Sequence, residues 1–124
     1  MAHKPILYIA GPYTNPDPVE NTHNAIKVWE QLWLAGFVPI CPHASLVLQL
    51  VCPRPYQEWL DYDLELLRTC DALYRMPGES NGANLEVTEA IRLGMSVYCN
   101  LSLLLGLPNT VPDGLPEWAK RLGW

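Results

Sequence analysis

Four short apolar runs, each closed by a turn residue and separated by stretches of helical spacing, organise this chain. Ile6 to Ala10 follows Pro5 and stops at Gly11-Pro12, the pattern of a buried strand entering a loop. Asn15-Pro16-Asp17-Pro18 is turn material, after which Ala25, Val28, Trp29 and Leu32 recur at the α-helical period up to a stop at Gly36. Val38 to Cys41 is the second run, ended by Pro42. Asp71 to Met76 is the third, ended by Pro77-Gly78, and Ser96 to Cys99 is the fourth.

The intervening segments carry the helices. Residues 44–55 are apolar but hold Pro53 and Pro55, which predicts a short helical turn and then an irregular, lid-like stretch. Tyr56 to Thr69 is clearly helical, with Leu60, Leu64 and Leu67 on one face. Asp63 shares that face, whereas Asp61 and Glu65 point to solvent. The helix after Pro77-Gly78 presents Ala83, Val87, Ala90, Ile91 and Gly94 on one side and ends at Gly94. A leucine-rich turn or short helix follows the fourth strand, and Leu103 to Leu107 fits a fifth strand as well as a helix. Pro116 to Leu122 is a final candidate helix. Short apolar strands alternating with helices predict a parallel sheet of four or five strands in a layered α/β domain, a single domain over residues 1–124.

Composition narrows the partners. With 49% apolar and 17% charged residues the chain has ample material for a core. A net charge of −5 with only eight Lys and Arg supplies no basic stripe, which argues against a nucleic-acid polymer; a single phosphate on backbone amides remains compatible. The four cysteines, Cys41, Cys52, Cys70 and Cys99, form no Cys-x-x-Cys pair, and no charged leader with an apolar core begins the sequence, so a reducing cytoplasmic setting is expected. Cys70 and Cys99 are expected to act as small buried hydrophobes. The apolar stretches are too short to span a bilayer, and no membrane partner is expected. Trp29 and Trp33, four apart, are expected to pack in the core or between subunits rather than stack on a substrate.

The chemistry concentrates where strands end. In open parallel sheets ligands bind beyond the carboxyl ends of the strands, where Gly11-Pro12-Tyr13, Pro42-His43 and Pro77 to Glu86 would converge. Glu86 falls in the first turns of its helix, where unpaired amides and the helix dipole favour an ionised carboxylate; a depressed pKa and a nucleophilic or electrostatic role follow, unless the acid serves helix stability alone. Gly82 and Ala83 leave the space in front of Glu86 open, although Gly82 also suits a helix-entry turn and Ser80 an N-cap. Asp63 on an apolar face costs several kcal/mol if buried unpaired and so implies a polar pocket at that end of the core. Two acids beside an apolar interior divide their tasks through different pKa values, one attacking or stabilising and the other moving a proton. That division suits cleavage at an acetal-like carbon, an N-glycosidic bond among them. His43 either contacts a ligand or satisfies a loop carbonyl. His3, His23 and His43 have no compact His/Cys/Asp spacing, so no metal site and no cofactor are expected; Ser45 beside His43 lacks a third triad residue, and neither a phosphate-binding loop nor a dinucleotide fingerprint is present.

As an ordered set, Leu7-Tyr8-Ile9-Ala10-Gly11-Pro12, Pro42-His43, Asp63 through Cys70-Asp71-Ala72-Leu73, and Ser80 through Glu86 resemble the nucleoside 2-deoxyribosyltransferase-like family over roughly residues 6–99. The resemblance implies a flavodoxin-like three-layer sandwich and cleavage of the glycosidic bond of a nucleoside or nucleotide by Glu86 as nucleophile. It assigns Asp63 to the departing base, Tyr8 to the sugar and nucleophile, and Gly11 to the first binding loop, with Tyr13 a further aromatic nearby. Ser80 stands six before the nucleophile, where deoxynucleoside 5′-monophosphate N-hydrolases carry Ser and the transferases Asp, which implies phosphate held by Ser80 and neighbouring amides, Gly82 and Ala83 included. Pro12 replaces the serine usual in that branch and donates through neither hydroxyl nor amide. Base exchange by a transferase and a non-catalytic nucleotide-binding module are the alternatives. The resemblance also implies a homodimer or higher homo-oligomer whose neighbouring subunit helps to close each pocket. The family's Asn-containing end is not matched by the present tail, where Trp118 and Trp124 would serve docking or an intersubunit contact.

Overall fold

A computed structural model describes residues 3–106. Within them a four-stranded parallel sheet runs in the order β2-β1-β3-β4, formed by β1 (Ile6–Ala10), β2 (Val38–Ile40), β3 (Ala72–Arg75) and β4 (Ser96–Tyr98). The helices are α1 (Pro18–Leu34), α2 (Ser45–Val51), α3 (Tyr56–Leu67), α4 (Asn81–Arg92) and α5 (Leu101–Leu105), with a 3₁₀ turn at Pro42–Ala44 before α2.

Side chains alternate across β1, and that alternation builds the layers. Leu7 and Ile9 point to one face, where Val28 and Leu32 of α1 and Leu104 of α5 cover them. Tyr8 and Ala10 point to the other, against Leu67 of α3 and Ala83 and Ala90 of α4. The result is the flavodoxin-like three-layer sandwich. The chain steps from β1 out to β2 and returns past β1 to β3, so the sequence direction reverses between β1 and β3, the switch point at which such sheets open a crevice.

Capping fixes where the helices begin. Asp17 accepts from the Val19 amide at 3.0 Å, Ser80 from Ala83 at 3.1 Å, and Asn100 from Leu103 at 2.9 Å. Gly36, Gly78 and Gly94 all take positive φ, and at Gly36 and Gly94 this closes the helix just before it.

One open reading closes and three expectations change. The segment with two readings, Leu103 to Leu107, is helical as far as Leu105, because the Asn100 cap starts a helix there. Ile91 is 64% exposed rather than on the inner face of α4. The buried line runs Ala83, Glu86, Ala90, which rotates the helix toward Glu86 and turns Ile91 outward. Cys99, expected inside, is exposed just beyond edge strand β4. Residues 45–51 form a helix of seven residues, none of them buried, in place of a brief turn. The candidate helix Pro116 to Leu122, with Trp118 and Trp124, lies outside the described residues. Trp29 and Trp33 stack with ring centroids 5.3 Å apart, and the Trp29 indole donates to the Pro39 carbonyl at 3.2 Å. Among the described residues no helix is long and apolar enough to cross a membrane.

Candidate active site

The carboxyl ends of β1, β2 and β3 open into a cleft of about 530 Å³, a size suited to a small organic ligand. Every residue singled out from the sequence except Tyr8 lines it: Gly11, Tyr13, His43, Asp63, Ser80, Gly82, Ala83 and Glu86. Tyr8 lies beneath, fully buried, and its hydroxyl donates to Glu86 Oε2. The phenol reaches Glu86 because the period of β1 turns Tyr8 toward α3 and α4 while Leu7 and Ile9 face the opposite layer.

Glu86 is 6% exposed. Its pKa is raised to about 8, not depressed: burial penalises the charged form, and nearby Asp63 adds to the rise, while the Tyr8 hydrogen bond and Arg75 oppose it. The expected depression fails for a geometric reason. The helix starts at Asn81, so Glu86 sits in the second turn, and the nearest unpaired amide, that of Ala83, is already taken by the Ser80 hydroxyl. Asp63 is pushed up to about 7 by burial. Its Oδ1 is buried without a hydrogen-bond partner among the described residues. An orphaned carboxylate oxygen in a cleft wall costs the fold and is set for a ligand or a proton. The two acids therefore line one poorly solvated site in which ionising both at once is costly.

Loop contacts hold the rim in place. Asn21 Nδ2 donates to the carbonyls of Tyr13 and Asn15 at 2.9 and 2.8 Å, fixing the loop that carries Tyr13. His43 Nε2 donates to the Pro12 carbonyl at 2.9 Å, and Thr22 bonds the His43 carbonyl at 3.3 Å. The imidazole is thus committed to a loop carbonyl, and burial lowers its pKa, which keeps it neutral. Gly11 allows close packing on Met76, whose Cβ would lie 2.9 Å from an added Cβ. Arg75, at the end of β3, donates to the carbonyls of Met76 and Gly78 and to Asn84 Oδ1, the last two at 2.9 and 3.0 Å. It pins the β3–α4 turn to the first turn of α4.

The space in front of Gly82 is not open. A Cβ there would lie 2.5 Å from the Tyr56 hydroxyl. Tyr56, Trp59 and Leu60 of α3 form the wall leading to Asp63, with Arg54 and Gln49 at its edge. Sequence reasoning missed Tyr56, Arg75 and Asn21. The signal for Tyr56 was present, since Tyr56, Leu60 and Asp63 repeat at the spacing of one helix face.

Residues 5–100 match the family described as a domain of unknown function, DUF7768. The chain belongs to the DUF7768 family. No curated protein matches it significantly. Several solved structures resemble the DUF7768 chain, two 2-deoxyribosyltransferases among them. A 2-deoxyribosyltransferase from Leishmania mexicana aligns with a TM-score of 0.55 at 23% identity, over 75% of this chain and 61% of that one. A 2-deoxyribosyltransferase from Bacillus psychrosaccharolyticus aligns with a TM-score of 0.53 at 18% identity, over 96% and 91%. The DUF7768 chain thus spans about three fifths of the Leishmania protein and nearly all of the Bacillus one. At these identities the likeness is one of fold: the DUF7768 domain has a 2-deoxyribosyltransferase-like α/β architecture.

Proposed function

We propose that this protein cleaves the N-glycosidic bond of a (deoxy)nucleoside 5′-monophosphate and releases the free base, with Glu86 as nucleophile. The observation that carries this reading is the pairing, in one cleft, of a Tyr8-held Glu86 with an Asp63 whose buried oxygen has no partner. Tyr8 occupies Glu86 Oε2 and leaves Oε1 to form a bond to C1′ as the C1′–N bond breaks. Asp63, whose protonated form burial favours, gives its proton to the departing base as the bonding pair leaves with it. Water then attacks C1′, its proton passes to Asp63, and Glu86 is released. A second base in place of water would make the reaction a transfer. The fold shared with two 2-deoxyribosyltransferases supports a nucleoside as the substrate class. Ser80 at the entry of α4 supports the phosphorylated form.

Incubation with a panel of 2′-deoxynucleosides and their 5′-monophosphates, with and without acceptor bases, tests this by mass detection of released base. Base release that disappears in Glu86→Ala is expected, together with a glycosyl adduct on Glu86. Wild-type turnover in Glu86→Ala removes the assignment. Binding without any release would instead make the chain a nucleotide-binding module, and base exchange would make it a transferase.

A further inference from the structure

We propose that the Tyr56 hydroxyl is a specificity-determining donor that recognises the oxygen on C5′ of the substrate, free or esterified to phosphate. This assignment rests on the glycosidic reading for its orientation. Tyr56 opens α3 at the cleft rim, two helical turns from Asp63, and the two residues lie on the same face. Its hydroxyl makes no hydrogen bond among the described residues, yet it is pressed over the first turn of α4. An added Cβ on Gly82 would come within 2.5 Å of the oxygen, and Ser80 Oγ lies 4.0 Å from the same point. Gly82 has no positive φ that would require glycine, and its missing side chain lets the half-exposed Tyr56 ring end rest on α4; any larger residue would push the hydroxyl away.

The direction of the substrate follows from the two acids. With C1′ at Glu86 and the base at Asp63, the sugar's remaining atoms extend along the first turn of α4 toward the Tyr56 hydroxyl that rests on Gly82, one turn back along the helix. Burial and the charges of Glu86 and Asp63 all disfavour the phenolate. The phenol is therefore a neutral donor and meets an acceptor oxygen.

Wild type and Tyr56→Phe are titrated with 2′-deoxynucleosides, their 5′-monophosphates and 2′,5′-dideoxynucleosides, following both affinity and base release. Tyr56→Phe is expected to weaken binding of ligands carrying a C5′ oxygen about tenfold and to change the 5′-deoxy ligands less than about twofold. Comparison of the nucleoside with its monophosphate tells which source of that oxygen the phenol reads. Gly82→Ala should weaken the same ligands in wild type. It should add nothing in Tyr56→Phe, where loss of the hydroxyl moves the nearest ring atom to 3.7 Å. Equal losses on all ligands, no loss on any, or no binding by wild type overturn the assignment. Discrimination in affinity without base release leaves Tyr56 in this role and removes the glycosidic reaction instead.

Discussion

Tyr8 and Glu86, 78 positions apart in sequence, are joined by a hydrogen bond between the buried centre of β1 and the second turn of α4. The bond favours the ionised carboxylate in a place where burial favours the neutral one. In Tyr8→Phe the carboxyl loses this donor, so its pKa rises further above that of Asp63 and the form with Glu86 ionised and Asp63 protonated becomes rarer. The expected outcome is a fall in kcat of about 10²-fold or more, with the alkaline limb of the pH–rate profile displaced upward. A loss of activity with an unmoved profile would mean that Tyr8 serves packing alone.

The productive state of the pair carries one proton, on Asp63, with Glu86 ionised, and it is the minor of the two singly protonated forms because Glu86 holds its proton the more tightly. At low pH both acids are protonated and no nucleophile exists; at high pH both are ionised and the base leaves unassisted. With Asp63 near 7 and Glu86 near 8, activity should follow a narrow bell centred between these values, and the two limbs belong to the pair rather than to either residue. Asp63→Asn should lower kcat about 10²- to 10⁴-fold and abolish the alkaline limb. Initial rates between pH 5 and 10 decide the matter: a profile flat from pH 6 to 9 is incompatible with this pair.

Much of this arrangement was legible in the chain. The runs at Ile6 to Ala10 and Asp71 to Met76 gave strands within a residue of their observed ends, because the inner strands of a parallel sheet read as mostly apolar runs bounded by Gly and Pro. The position of Asp63 on an apolar face already implied a polar pocket. What the sequence did not carry was depth. Helical position suggested that Glu86 would be governed by helix amides, but the inward face of α4 packs toward the sheet, and the resulting burial reverses the direction of its pKa. Gly82 was ambiguous for a similar reason. An absent side chain leaves room, and only the fold shows that the Tyr56 hydroxyl fills that room.

The same burial makes stability depend on pH. The folded pKa of Glu86, about 8, exceeds its ordinary 4.5, so the protonated form is favoured by folding. Its contribution is fully present below about pH 4.5 and is lost as pH rises through 8; Asp63, raised from 3.8 to about 7, acts in the same sense. His43, lowered from 6.5, acts oppositely on the acid side, which complicates the wild-type curve. Comparison with Glu86→Gln cancels the His43 effect. The variant should match wild type near pH 5 and exceed it near pH 9 by on the order of 2–4 kcal/mol, seen as a Tm difference that grows with pH. A difference independent of pH would show that Glu86 is not the titrating group.

Ser80 offers a way to separate phosphate recognition from helix capping. Its hydroxyl accepts from the Ala83 amide, a role that Asp fills equally well, so Ser80→Asp keeps the cap and should leave Tm nearly unchanged. It also places a carboxylate at the entry of α4, where the phosphorylated substrate would bring its own negative charge. A 5′-monophosphate should therefore lose at least about tenfold in kcat/KM, whereas the unphosphorylated nucleoside should be little affected. Ser80→Ala supplies the opposite control, with a stability cost of about 1 kcal/mol and no repulsion. Equal losses for nucleoside and nucleotide in Ser80→Asp would show that phosphate does not bind near Ser80, and would favour the transferase reading of the cleft.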